Sequence, residues 1–224
     1  MSHLPGPLVV SFSGIDGAGK STHIAALQEA IAQMGWQCRV ITFWDDVVVA
    51  GRWRESFVHR VFGSERGVGA PGMPVARRDK NVRSSYLTAI RCLLYLADAI
   101  HLRMVLRRLR REKSEVILVD RYIYDELANL PLGGRVFASF ARLAAGIAPR
   151  PELALLIDAE PEVARARKPE YPLEFLGESR DSYLRLALLL GGMRLIPPLP
   201  LDDAQQAIWQ AFVKIAGGKV KQAA

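Results

Sequence analysis

Residues 14 to 21 read Gly14-Ile15-Asp16-Gly17-Ala18-Gly19-Lys20-Ser21, a complete G-x-x-x-x-G-K-[ST] run, and no other stretch restricts the fold so tightly. Such a run binds phosphate only as the turn between a buried strand and a helix. Both neighbours are present. Leu8-Val9-Val10-Ser11-Phe12 precedes it as an apolar strand candidate, and Ile24, Leu27, Ile31 and Met34 follow at helical spacing. The glycines let backbone N–H groups curl around phosphate oxygens, and the helix N-terminus adds the positive end of its dipole. Lys20 reaches the β- and γ-phosphates, and the Ser21 hydroxyl can ligate Mg²⁺. The motif therefore implies a nucleoside triphosphate with Mg²⁺, held by Gly14, Asp16, Gly17, Ala18, Gly19, Lys20, Ser21 and Thr22.

The rest of the chain alternates in kind. Strand candidates cover residues 8 to 13, 37 to 43, 115 to 119, 152 to 157 and, on a weaker pattern, 193 to 196. Helices are predicted over 20 to 34, 82 to 112, 133 to 147, 160 to 167, 178 to 190 and 202 to 216. Nearly continuous apolar strands alternating with helices specify an α/β fold, a parallel sheet flanked by helices on both faces, with ligands at the carboxyl ends of the strands. Residues 63 to 74 carry four glycines and two prolines without periodicity and read as a mobile loop. Pro197, Pro198 and Pro200 mark a stiff loop before the last helix, with Asp202 as its N-cap, and residues 217 to 224 read as a frayed tail.

A chain of 224 residues, half of them hydrophobic, is long for one domain and short for two, so residues 1 to 216 read as a single domain. Nothing approaches the roughly 18 consecutive apolar residues of a membrane span, and Met1-Ser2-His3-Leu4-Pro5 lacks a basic and apolar leader pattern, so a cytoplasmic location is expected. Cys38 and Cys92 lack C-x-x-C spacing and read as buried free thiols. The net charge of +7 points to anionic partners. Arg103, Arg107, Arg108, Arg110, Arg111 and Lys113 form the most basic helical stretch, open to three readings: a solvated face, a surface for homodimer or substrate electrostatics, or nucleic-acid binding. The last is disfavoured, because no aromatic residues interleave the arginines and no nucleic-acid-binding signature occurs.

Val116-Ile117-Leu118-Val119 delivers Asp120 to a strand end, where a nucleotide enzyme needs a carboxylate beside the metal, and Arg121 and Tyr122 follow at once. With these segments in this order, the chain resembles the thymidylate kinase family of nucleoside monophosphate kinases. The matching residues are 12 to 22 around the loop, Val119-Asp120-Arg121-Tyr122, Pro151-Glu152-Leu153, the run from Ile157 to Glu162, and Arg167. The resemblance implies that Asp16 faces the acceptor's sugar or its metal, that Arg121 holds the acceptor phosphate, and that Arg167 opens a lid over ATP. The acceptor loop would then span about residues 44 to 83 and the lid about 165 to 178.

Departures from the family gather on the acceptor side. The family's Arg-Glu-Pro-Gly-Gly stretch after the second strand is replaced by Thr42-Phe43-Trp44-Asp45-Asp46, and its Ala-Asp-Arg by Ala97-Asp98-Ala99. Where the family reads the deoxynucleoside with serine, asparagine and tyrosine, this chain has Asp125, Glu126 and Asn129. Arg77, Arg78, Lys80 and Arg83 are candidate replacements for the lost monophosphate arginine, and Trp44 with Asp45 and Asp46 is a candidate base and ribose contact. Gly17 stands where some members carry a catalytic arginine, so the transition-state cation falls to Arg121 or to Arg165, Arg167 or Lys168. Only 15 residues separate Arg167 from Tyr183, with Arg180 the single arginine between them, a shorter lid than the family's. His59 and His101 read as structural histidines on helical stretches.

Together with the resemblance, these residues imply in-line transfer of the ATP γ-phosphoryl group to an anionic acceptor, with Lys20, Asp120, Arg121 and Arg167 as the expected catalytic set and Ser21 and Asp120 as expected metal ligands. Three functions remain open: a nucleoside monophosphate kinase with dTMP as default acceptor, a kinase of the same fold for another small molecule, and a nucleotide-binding regulatory module.

Overall fold

The computed structural model describes residues 6–49, 85–112 and 114–223. Five strands, β1 (Leu8–Ser13), β2 (Cys38–Thr42), β3 (Val116–Asp120), β4 (Leu153–Ile157) and β5 (Met193–Ile196), form one sheet in the order β2-β3-β1-β4-β5, every neighbouring pair parallel. The order follows burial. Every residue of β1 and β4 is buried, so those strands need neighbours on both edges, whereas β2 and β5 are partly exposed and end the sheet.

Seven α-helices occur among the described residues: α1 (Lys20–Gln33), α2 (Ser85–Leu109), α3 (Ile123–Leu127), α4 (Arg135–Ile147), α5 (Pro161–Arg167), α6 (Leu173–Leu190) and α7 (Leu201–Ala223). Parallel strands need crossovers, and the helices provide them. Phe12 and Phe212 are 0% and 1% exposed, and full burial of such a side chain is worth about 1.5–3 kcal/mol. Phe12 lies opposite Asp120 across the β1–β3 ladder, and the Arg121 N–H continues that ladder to the Phe12 carbonyl at 2.9 Å. The phosphate loop and the Asp-Arg-Tyr triplet therefore leave the sheet side by side.

The expected helices and strands occur, with shifted ends. Helix α6 starts at Leu173, earlier than the expected 178, because Pro172 takes extended backbone (φ −59°, ψ 150°) just outside the first turn. Within the span expected as a lid, residues 165 to 178, only residues 168–172 lie between the two helices. Helix α7 begins at Leu201, with the Pro200 carbonyl accepting the first helical bond from Ala204, so Asp202 belongs to the first turn and is not its cap. That helix also runs on to Ala223, so the tail expected to fray is helical. Its Lys219 is tied to Glu152 at 2.8 Å. Two short elements were not foreseen: α3 and a π-helical turn over Phe43–Val47. The free thiols Cys38 and Cys92 are half-buried, not fully buried, and burial pushes Cys38 up to about 12. No described helix is long and apolar enough to cross a membrane.

Candidate active site

The loop after β1 owes its shape to glycine. Gly14, Gly17 and Gly19 have φ of 142°, 84° and 88°, a region that other residues rarely enter. At Gly17 a side chain is excluded twice, since an added Cβ would press into the Ala164 carbonyl group of α5, 2.8 Å from its carbon. Helix α5 thus lies directly against the loop, and the position that bears a catalytic arginine in some relatives is closed here. Gly19 ends the loop without a side-chain cap on α1, which leaves that helix's first N–H groups for an anion.

Lys20 is 7% exposed, and its ammonium donates to the carbonyls of Gly14 (2.8 Å) and Ile15 (2.9 Å). Burial, and then the Arg121 guanidinium, bring it down to about 8. A phosphate placed over the loop would replace those carbonyls as partner. Ser21 and Thr22 stand exposed on the first turn of α1, and Ala18 is buried beneath the loop.

At the end of β3, burial raises the Asp120 carboxyl above its usual value despite Lys20 and Arg121 nearby. Its Oδ1 is buried and has no hydrogen-bond partner among the described residues. An orphaned carboxylate oxygen beside a phosphate loop fits a hard cation. Arg121 follows with φ 66°, the one positive φ of a non-glycine residue among those described. Its guanidinium pairs with Asp16 through Nη2 and with Asp125 through Nη1 at 3.3 Å. Burial alone would weaken its hold on a proton, but Asp125 and then Asp16 more than reverse this and raise it above its usual range. Tyr122 is fully buried and donates to the Pro149 carbonyl, so the tyrosine of the triplet is structural.

Beside the loop opens a cleft of about 470 Å³ bounded by Gly19, Thr22, His23, Asp158, Arg167 and the loop 197–200. Arg167 reaches it from the end of α5, its Nη1 3.6 Å from where a Cβ on Gly19 would lie. Lys168 instead pairs with Glu170 at 3.1 Å and Arg165 is exposed, so of the three candidates on and after α5 Arg167 is the one that lines the cleft. His23, at 5% exposure, lines the same cleft and was missed by sequence reasoning; its one signal was a place one turn after Lys20. Burial, and then Arg167, hold its imidazole below the ordinary value, so it is neutral near pH 7.

The sheet and loop thus bring Gly14, Asp16, Gly17, Ala18, Gly19, Lys20, Ser21, Thr22, Asp120, Arg121 and Arg167 to one end of the molecule. No family model matches the chain. Thymidylate kinase of Leifsonia xyli subsp. xyli is 30% identical over 182 residues, spanning 80% of this chain and 72% of that protein. The chain belongs to the thymidylate kinase family. Probable thymidylate kinase of Pyrococcus abyssi is 27% identical over 202 residues, 84% of this chain and 86% of that protein. A crystal structure of thymidylate kinase from Ehrlichia chaffeensis shares the fold, with a TM-score of 0.59 at 15% identity over 93% of this chain and 99% of that one.

Against the thymidylate kinase pattern, the rewritten acceptor residues take new roles. Ala99, where the family's base-reading arginine belongs, is 0% exposed in the core, and the adjacent Asp98 accepts the Val49 N–H at 2.7 Å. Asn129 donates from its side-chain amide to the Asp125 carbonyl at 2.8 Å, one turn back on the same segment. Arg91, eight residues before Ala99 on α2, donates to the Tyr95 hydroxyl (3.2 Å) and the Asn129 carbonyl (3.4 Å) and was not singled out from sequence. Asp46 accepts the Thr42 N–H at 2.7 Å and so starts the π-helical turn, while Trp44 is 43% exposed on that turn and Asp45 is exposed. Arg180 is bound to Asp158 (Nε–Oδ1 2.7 Å, Nη2–Oδ2 2.9 Å) and to Glu160, a brace between α6 and the β4 end and not a lid cation. His101 donates to the Val47 carbonyl. His59, Arg77, Arg78, Lys80, Arg83 and most of the expected acceptor loop lie outside the described residues.

Proposed function

We propose that this protein is an ATP- and Mg²⁺-dependent kinase that transfers the γ-phosphoryl group to a nucleoside monophosphate, dTMP being the default acceptor. The observation that carries the reading is the uncapped start of α1 with Lys20 held over it, since a buried ammonium bonded only to backbone carbonyls is matched to a triphosphate. The loop N–H groups hold the donor phosphates, and Lys20 draws charge off the β,γ-bridge as it breaks. Arg167 covers the loop in place of the arginine that Gly17 cannot carry. Ser21 and Asp120 would hold Mg²⁺, which when bound neutralises charge on the β- and γ-oxygens. Few protein ligands suit that ion, because Mg²⁺ keeps several waters and takes the rest from phosphates.

The cleft of about 470 Å³ beside Gly19 suits the donor's base and ribose. On the other side Arg121 meets the acceptor's phosphate and Asp16 its sugar. That acceptor oxygen is already ionised at pH 7, so no general base is required. Buried Ala99 and the bonded Asn129 favour a second reading of the acceptor, another small anion in place of dTMP.

A coupled ADP-release screen over nucleoside monophosphates, nucleosides and sugar phosphates tests both. Turnover of dTMP with kcat/KM on the order of 10⁵ M⁻¹s⁻¹ establishes the first. A preference of about 10⁴-fold for another acceptor establishes the second, because sites that hydrogen-bond one base discriminate on that scale. Absence of ADP release with every acceptor rejects both in favour of a nucleotide-binding module.

A further inference from the structure

Arg121 has two carboxylate partners, and they are not equivalent. Asp125 is 2% exposed and accepts three bonds besides that from Arg121: from the Ser13 hydroxyl (2.6 Å), the Tyr122 N–H (2.9 Å) and the Tyr183 hydroxyl (2.8 Å). Those donors come from the end of β1, the start of α3 and the middle of α6. Moving the carboxylate would break all of them at once and strand a buried charge, so its place is set by three separate parts of the fold. Asp16 stands on the phosphate loop with a side chain 19% exposed, at the edge of the site.

A guanidinium with one fixed and one accessible carboxylate is a two-position clamp. An acceptor phosphate dianion offers the same fork geometry as a carboxylate with more charge, so it can take the place of Asp16 at Nη2. It cannot displace Asp125, which lies behind the guanidinium and out of solvent. The left-handed backbone of Arg121 turns this side chain between the two carboxylates and is sustained by those bonds.

We propose that Asp125 is the positioning residue that presents Arg121 to the acceptor's phosphoryl group, while Asp16 is the partner that group displaces. The inference rests on the kinase reading above. Without the Asp125 charge, Asp16 is the ion-pair partner Arg121 keeps among the described residues, with Asp120 also nearby, so the guanidinium turns toward the phosphate loop, where that pair competes with the acceptor. Its loss therefore damages the acceptor side while the donor side persists.

The test uses the full chain with Asp125→Asn, an isosteric change whose one oxygen keeps the Ser13 and Tyr122 bonds made to Oδ2, while its N–H₂ replaces Oδ1, donates to the Tyr183 hydroxyl and cannot accept from Arg121. With the best acceptor from the screen, kcat/KM for the acceptor is expected to fall at least about 30-fold while KM for ATP stays within about threefold. Acceptor kinetics within threefold of wild type, or parallel losses for ATP and acceptor in a folded variant, overturn the proposal. A second readout needs no turnover: the ¹⁵N spectrum of the Arg121 guanidinium. Its Nη1 signal, from the group bonded to Asp125, should show a hydrogen-bonded shift in wild type and in Asp16→Asn and lose it in Asp125→Asn. Equal spectra in wild type and Asp125→Asn overturn the positioning role. If wild type turns over no acceptor, the kinase reading fails on its own, and these spectra still decide whether Asp125 fixes Arg121.

Discussion

The ammonium of Lys20 makes ATP binding depend on pH in a calculable way. In the free protein burial and Arg121 hold it at about 8, with Asp125, Asp16 and Asp120 acting in the opposite sense. A bound triphosphate adds three to four negative charges at that atom and restores the ordinary ammonium, so binding above pH 8 must take up a proton. The free protein has lost about 0.1 of that proton at pH 7, about 0.5 at pH 8 and about 0.9 at pH 9. Uptake per ATP should rise through the same values, and affinity for MgATP should fall about tenfold between pH 7 and pH 9. Few other groups interfere there, since nucleotide phosphates are fully ionised and His23 titrates below its ordinary value. Titration calorimetry in two buffers of different ionisation enthalpy reads the uptake directly, with Lys20→Arg as a control whose charge does not titrate. Equal heats in both buffers at pH 9, or the same uptake in Lys20→Arg, would refute this account of the loop.

Burial of a charged Lys20 also penalises the empty fold. Its depressed value means the penalty, about 3 kcal/mol, is complete below pH 8 and is relieved as pH rises from 8 to 10.5, with two hydrogen bonds offsetting about 1 kcal/mol each. Lys20→Met should therefore melt about 2–4 °C higher than wild type at pH 7 while losing phosphoryl transfer; a lower melting temperature contradicts it. Gly17→Ala combines a positive φ with a collision at Ala164, so calorimetry should show a loss of about 2–3 kcal/mol, and a melt within 1 °C of wild type would show that α5 does not rest on the loop. Arg180→Ala leaves the 8%-exposed Asp158 side chain unpaired; because Arg180 is itself 23% exposed, the expected cost is about 1–2 kcal/mol with a several-fold rise in KM for ATP and none for the acceptor.

The donor half of the site was legible because it is written locally. Glycines at 14, 17 and 19, Lys20 and Ser21 lie within eight residues, and the strand before and helix after them follow from short-range periodicity. Asp120 and Arg121 were legible for the same reason, since a run of apolar residues ending in a carboxylate announces a strand end. Helix starts and stops were less so: the start at Leu173 follows Pro172, a signal easily passed over, while the last helix runs on through Gly217 and Gly218, with Lys219 tied to Glu152.

What the tertiary structure alone decided is pairing at long range. Asp125 and Asn129 read as replacements for base-reading groups, yet one is the anchor of Arg121 and the other is spent on a helix carbonyl. Ser13, Arg121 and Tyr183 converge on Asp125 from positions up to 112 residues away from it, and Arg180 on α6 joins Asp158 and Glu160 in the loop between β4 and α5. Sequence pattern reports which face of an element is buried. Which polar group inside that buried face meets which other depends on how β1, α3 and α6 are stacked, and a carboxylate's role is set by the donors that surround it.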